Sequence, residues 1–254
     1  MSPIKFLTFA LASLFSFSVF AQDETGVSPY RPSVSSPAQL PLAGQLEFEL
    51  GVLRNKTDNE RRDSLPYLFK LAMNTEWGIL IGGESYVSSS DEFAHKERGI
   101  GDTSIVLKRA FILDDSTAMG LEFGTKLATA KDTIGSGKTD YTVNAILSKD
   151  IEKLHFDGNL NITRLGLHED AAARNLLGWA ASFSYPLADK WQVIGEPSGS
   201  HQNGKASSTQ ILTALAYSPN KQMTIDFGIA KGLNKTSLGY SLFAGLVLPV
   251  AKLW

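Results

Sequence analysis

The feature that most restricts this chain is a period-two alternation of apolar and polar residues that begins after Gly44 and recurs to the C-terminus. In an extended strand successive side chains point to opposite faces, so alternation separates one apolar face from one polar face. The first case sets Leu46, Phe48, Leu50 and Val52 against Glu47, Glu49 and Gly51. The seventh is the cleanest, with Leu154, Phe156, Leu160 and Ile162 against His155, Asp157, Asn159, Asn161 and Thr163. Twelve such segments predict twelve strands, of which one is irregular because Arg109 interrupts the face of Ile105, Leu107 and Phe111.

The connectors alternate in length. Short ones, such as Asn74 to Glu76, Asp114 to Ser116 and Pro219 to Gln222, take turns with long polar ones, such as Val87 to Gly99, Ala130 to Thr139 and Ser198 to Ala206. Short turns on one rim and long loops on the other describe an up-and-down meander of six hairpins. An even strand number places both ends of the barrel at the short-turn rim, as in bacterial outer-membrane barrels.

Alternation leaves open whether the apolar face points into a soluble core or out to lipid. A closed sheet of about eight strands is already just filled by side chains, and twelve enclose more space than an apolar core can fill. A polar lumen with the apolar face outward follows, and a secreted soluble β-sandwich or lipid-binding barrel is the competing reading. Aromatic placement favours the first. Trp77, Phe111, Tyr185, Trp191, Tyr217 and Trp254 lie on apolar faces close to short turns, as an aromatic girdle at a membrane interface requires. The fold expected for residues 44–254 is therefore all-β, an up-and-down antiparallel transmembrane β-barrel of about 12 strands. Its C-terminal strand, ending on Trp254, is the one that the barrel-assembly machinery would engage.

The N-terminus reads differently. Lys5 precedes an uncharged stretch, Phe6 to Phe20, that ends in Val19-Phe20-Ala21. This is the pattern of a secretory signal peptide, residues 1–21, cleaved after Ala21. Export to the outer membrane of a Gram-negative cell is the expected fate. Residues 22–43 carry Pro29, Pro32, Pro37 and Pro41 with several serines, the composition of a flexible, extended periplasmic lead-in.

Several function classes drop out. With 24 basic against 26 acidic residues the chain lacks the clustered positive charge that nucleic acid requires. It has no Cys, hence no disulfide, thiolate metal site or cysteine nucleophile. Gly135 to Thr139 fails as a phosphate loop, because Asp132 stands where the first glycine belongs and a strand follows. His95, His168 and His201 fall in separate long loops and His155 near a turn, so no catalytic triad, metal site or cofactor is expected.

What remains is the polar face. It carries nine acids (Glu47, Glu49, Glu84, Asp102, Glu122, Asp140, Asp157, Glu196, Asp226) against three bases (Lys70, Lys108, Lys126). Such a wall focuses a negative field and favours cations, with a preference that salt screens. The expected solute path comprises Asp102, Lys108, Glu122, Lys126, Asp140, His155, Asp157, Asn159, Asn161, Glu196 and Asp226. Asp102, Lys108, Glu122 and Lys126 alternate in sign across neighbouring strands, which suits both a bracing salt-bridge network and a selective constriction.

Some of these residues also carry a resemblance. Gly99-Ile100-Gly101-Asp102 with Lys108 downstream, Gly135 to Asp140, Glu196, and Ser218-Pro219 followed by Ile225-Asp226-Phe227-Gly228 resemble the outer-membrane transporter family named after the meta-pathway of phenol degradation. The resemblance covers roughly residues 99–254, and departs from the family where Leu127-Ala128-Thr129-Ala130 replaces a usual Pro-Thr-Gly. It implies a barrel that passively carries small, often hydrophobic or aromatic, molecules, with outer-membrane lipid and a solute as its partners. A structural or adhesive barrel, or a membrane-embedded hydrolase, is the alternative.

Overall fold

The computed structural model describes residues 26–93, 95–166, 173–237 and 239–254; the proposed signal peptide and His168 lie outside them. Thirteen strands follow one another: β1 (Gln45–Lys56), β2 (Arg61–Ala72), β3 (Trp77–Ser90), β4 (Lys96–Gly99), β5 (Thr103–Asp114), β6 (Thr117–Leu127), β7 (Asp140–Ile151), β8 (Leu154–Arg164), β9 (Asn175–Ala188), β10 (Trp191–Gln202), β11 (Ser208–Asn220), β12 (Met223–Gly232) and β13 (Tyr240–Lys252). Each pairs antiparallel with its neighbours, and β1 closes the circle on β13, from Gln45 against Lys252 to Lys56 against Tyr240. β4 and β5 both pair with β3, β4 at its far end and β5 at its start, so they form a single stave broken at residues 100–102. The barrel therefore has twelve staves, as the alternation predicts.

Closure forces the two faces apart. Phe123, Leu160 and Ile225 stand exposed on the outside, whereas the largest fully buried side chains are charged: Lys70, Lys108, Glu47, Glu49 and Glu196. Apolar groups outside and charges inside invert a soluble protein's order, which only a lipid-facing wall stabilises. Replacing Leu160, seventh of the eleven residues of β8, by Arg is expected to cost roughly 2–4 kcal/mol near the bilayer midplane. Urea unfolding from lipid vesicles measures it, and a neutral result would contradict the outward orientation.

Arg109, which breaks an otherwise apolar face, sits on the outside at the short-turn rim. Its guanidinium lies 5.1 Å from the Trp77 ring and 4.7 Å from the Phe111 ring, and reaches Glu76 at 3.3 Å. The stem thus stays with apolar neighbours while the charge meets the rim.

Two segments that composition assigns to loops are strand. β3 runs on to Ser90 and pairs with β4, extending that hairpin through much of the predicted loop Val87 to Gly99. β10 continues past Gly195-Glu196-Pro197 to Gln202, through the first residues of the predicted loop Ser198 to Ala206. Pro197 has no N–H to give. Its pairing with Ile211 of β11 is kept, whereas the ladder to β9 passes from Gly195–Phe183 directly to Ser198–Ala180. Pairing on both sides of the strand outweighs the local preference.

Candidate functional site

Charges as deeply buried as Glu47, Glu49, Lys70 and Glu196 survive only with partners. Their partners come largely from residues 26–43. The composition of this stretch predicts a flexible periplasmic lead-in; the structure corrects that, because the segment runs inside the barrel as a plug. Tyr30, Ser35 and Ala38 are buried there. Both ends of the plug sit at the short-turn rim: the Val27 N–H donates to the Lys221 carbonyl at 2.8 Å, and the Gly44 carbonyl accepts from the Leu253 N–H at 2.8 Å.

The physical reason is hydrogen bonding. A proline-rich extended chain makes no internal backbone hydrogen bonds, so its N–H and C=O groups need partners or water. The barrel wall supplies them. The Ser28 N–H donates to both oxygens of Glu47 (3.1 and 3.2 Å), and the N–H groups of Tyr30 and Arg31 donate to Glu49 (2.8 and 3.2 Å). Val34 and Ser35 donate from their backbone to Glu196 (2.9 and 3.3 Å), Ser36 to Asn159 (3.0 Å) and Ala38 to Ser148 (2.7 Å). In the opposite sense the ammonium groups of Lys70 and Lys108 donate to the carbonyls of Ser28 and Pro37. The same two ammonium groups each lie 4.3 Å from the centre of the Tyr30 ring.

Glycines make the room. Gly51 of β1 and Gly245 of β13 face each other, and an added Cβ at either would come within 2.4 or 2.3 Å of the Arg31 guanidinium group. Arg31 uses this slot to reach Asp226 of β12, with Nε at 3.1 Å and Nη2 at 3.2 Å from the carboxylate oxygens. Leu40 packs over Gly78 in the same way.

Two chambers lie against the plug among the described residues. One, of about 270 Å³, lies towards β1–β6 and is lined by Val34, Pro66, Leu68, Leu80, Val106 and Glu122, among others. The second, of about 380 Å³, lies at the short-turn rim beside β8–β12, against His155, Asp157, Ser182, Gln192 and Thr224. Tyr30, Arg31, Pro32, Ser33 and Ser35 line both, so this stretch is the partition.

The residues of the predicted solute path are thus distributed among three places. Lys108, Glu122 and Asn159 meet at the plug: Lys108 pairs with Glu122 at 3.0 Å, and Asn144 bridges Glu122 and Asn159 at 2.9 Å each. Glu196 and Asp226 hold the partition. Asp102, Lys126 and Asp140 lie at the long-loop rim, with Lys126 3.1 Å from each carboxylate. Burial pushes Asp102 up, but the Ala130 N–H and the Lys126 ammonium outweigh it and hold the carboxyl below its usual range. His155 bridges Asp150 (2.6 Å) and Asp157 (3.1 Å) beside the short-turn rim. Asn161 points inward against Gly178.

Of the girdle residues, Trp191 stacks on Tyr217 with ring centres 4.7 Å apart, and Tyr185 and Trp254 are exposed on the outer surface. Among the other histidines described, His95 pairs with Asp91 in the connection between β3 and β4, whereas His201, which the sequence places in a long loop, stands at the end of β10 and pairs with Ser207.

Missing from the sequence reading of the site are Tyr30, Arg31, Val34 and Ser35. The available signal was the excess of acids on the inner wall, which calls for donors from elsewhere in the chain.

Comparison with known proteins agrees with this architecture. An outer membrane channel from Pseudomonas putida F1 superposes with a TM-score of 0.66 at 12% identity, covering 88% of this chain and 100% of its own. The NanC porin gives 0.57 at 13% identity over 81% and 100%, and the CymD monoaromatic hydrocarbon channel 0.50 at 8% over 82% and 89%. No curated protein matches the chain significantly in sequence. The sequence pattern of one family, however, runs from inside the plug to the last strand, residues 30–248, and the chain belongs to that family, described as "Putative MetA-pathway of phenol degradation".

Proposed function

We propose that the chain is an outer-membrane channel through which small, neutral, largely apolar or aromatic molecules pass passively. The observation that carries this is the 270 Å³ chamber. Its charged lining groups are already engaged, Glu49 by Lys70 and the plug, Glu122 by Lys108 and Asn144, Arg31 by Asp226. What is left for a solute to touch is largely apolar, Pro32, Val34, Pro66, Leu68, Leu80 and Val106 with the rings of Tyr30 and Tyr67, beside the uncharged Ser33, Ser35 and Ser36. An apolar cavity of about 150 Å³ already accepts benzene, so one aromatic ring fits. The CymD similarity, to a channel named for monoaromatic hydrocarbons, points the same way.

In this reading the signal peptide is removed after Ala21, the short-turn rim faces the periplasm, and Trp77, Phe111, Tyr185, Trp191, Tyr217 and Trp254 mark the inner interface of the membrane. The assembly machinery takes hold of β13. A purely structural barrel is the second reading, and the filled lumen favours it.

The two differ in flux. A radiolabelled neutral aromatic solute is expected to enter vesicles with lipopolysaccharide in the outer leaflet faster with the refolded protein than without it. Equal rates would leave the structural barrel.

A further inference from the structure

We propose that Arg31 to Ser35 form a movable gate across the lumen, and that Glu196 and Asp226, uncovered when it lifts, make the open path pass neutral and cationic solutes and reject anions. This rests on the channel reading above. The two chambers are separated by this stretch, so a solute that crosses the barrel must move it.

The contacts divide the plug into fixed shoulders and a releasable middle. The first shoulder, Ser28 to Tyr30, is bound to Glu47 and Glu49, which share one counter-charge from the wall, Lys70 at 2.9 and 2.6 Å. The second, Ser36 to Ala38, is bound to Asn159, Ser148 and Lys108, and Lys108 is balanced by Glu122. Apart from the Arg31 N–H, which reaches Glu49 at 3.2 Å, the middle is held otherwise. Glu196 receives the Val34 and Ser35 N–H groups and the Ser35 hydroxyl at 3.2 Å, Asp226 receives the Arg31 guanidinium, and the Ser33 hydroxyl meets that of Ser182 at 3.1 Å. Among the described residues neither Glu196 nor Asp226 forms an ion pair with a base of the wall.

The sign of the open lumen follows. When the middle lifts, water replaces the lost donors at both carboxylates, and the cation that matched one of them leaves with the plug. Two bare acids then stand in a low-dielectric channel, where such charges repel anions and concentrate cations. Asp102 and Glu122, which the charge count alone ranks with them, keep their lysines. Selectivity is thus a property of the open state, written on β10 and β12.

Single-channel recording in planar bilayers tests both halves. The chain has no Cys, so Ser33→Cys with Ser182→Cys introduces one designed bond between two hydroxyl positions already in contact. Oxidation should lower conductance at least ~tenfold, and reduction should restore it, because the open population is removed. Ser33→Cys alone, coupled to a bulky maleimide, should hold the gate out and raise conductance. Glu196→Gln with Asp226→Asn should still conduct but lose most of the cation preference. If the bond forms, as mass spectrometry reports, and conductance is the same oxidised and reduced, the gate is wrong. Anion preference in the native protein, or unchanged preference in the double carboxamide variant, overturns the selectivity assignment. Absence of ion and solute flux from native, reduced and maleimide-coupled protein alike would refute the channel reading itself.

Discussion

Lys70→Met is expected to destabilise the barrel by about 3–5 kcal/mol, the usual cost of removing one partner from a buried charge group. The ammonium is fully buried between Glu47 at 2.9 Å and Glu49 at 2.6 Å, and both carboxylates are shut off from solvent as well. It also donates to the Ser28 carbonyl and lies against the Tyr30 ring. Methionine fills the space without charge, so two acids remain with plug N–H donors and the Gln45 amide at 2.8 Å from Glu47, but with no counter-charge. The compensated triple variant, Lys70→Met with Glu47→Gln and Glu49→Gln, should recover most of the loss, since uncharged groups of similar shape no longer need a counter-ion. Equilibrium unfolding in lipid vesicles, followed by tryptophan fluorescence, compares them. A loss below about 1 kcal/mol for Lys70→Met would mean that water reaches these acids and that the plug does not seal them.

The second large effect is expected from Gly51→Val. On the inside of β1, a Cβ at this position would lie 2.4 Å from Arg31 Nη1 and 2.6 Å from its Cζ. Valine suits a strand, and the nearest atoms it meets belong to the Arg31 side chain. The guanidinium must leave Asp226, stranding a buried carboxylate in the closed state but not in one where water enters. Breaking such a pair costs about 3–5 kcal/mol, so the ratio of lifted to seated plug should rise by at least ~100-fold. Maleimide labelling of Ser35→Cys, at a buried position within the movable stretch, reads that ratio in a chain without other cysteines. Arg31→Ala should produce a shift of the same order, and the two together little more than either, because they remove the same contact. Additive shifts would show that Gly51 acts on something other than Arg31.

Local pattern was enough for the wall. Alternation in segments such as Leu154 to Thr163 assigned each side chain to a face, and the rhythm of short and long connectors ordered the strands; both are properties of neighbouring residues. Where composition spoke against the wall, as at Ser198 to Gln202 and Val87 to Gly99, pairing with strands already in place decided the outcome. The ranking of the lumen charges was only half legible. Nine acids against three bases could be counted, but which acids keep a lysine depends on which side chains converge in space.

The sequence by itself determined a closed twelve-stave barrel with its charges turned inward, because a strand's two-residue period needs no distant information to sort its faces. Only the tertiary structure decided what fills that barrel. Residues 26–43 carry four prolines and polar side chains and read equally well as free linker. They become a plug through bonds such as Val34 to Glu196, whose partners stand 162 residues apart. Backbone donors look alike at every position, so no local pattern marks which will meet a buried carboxylate; that is settled once the wall has closed around it.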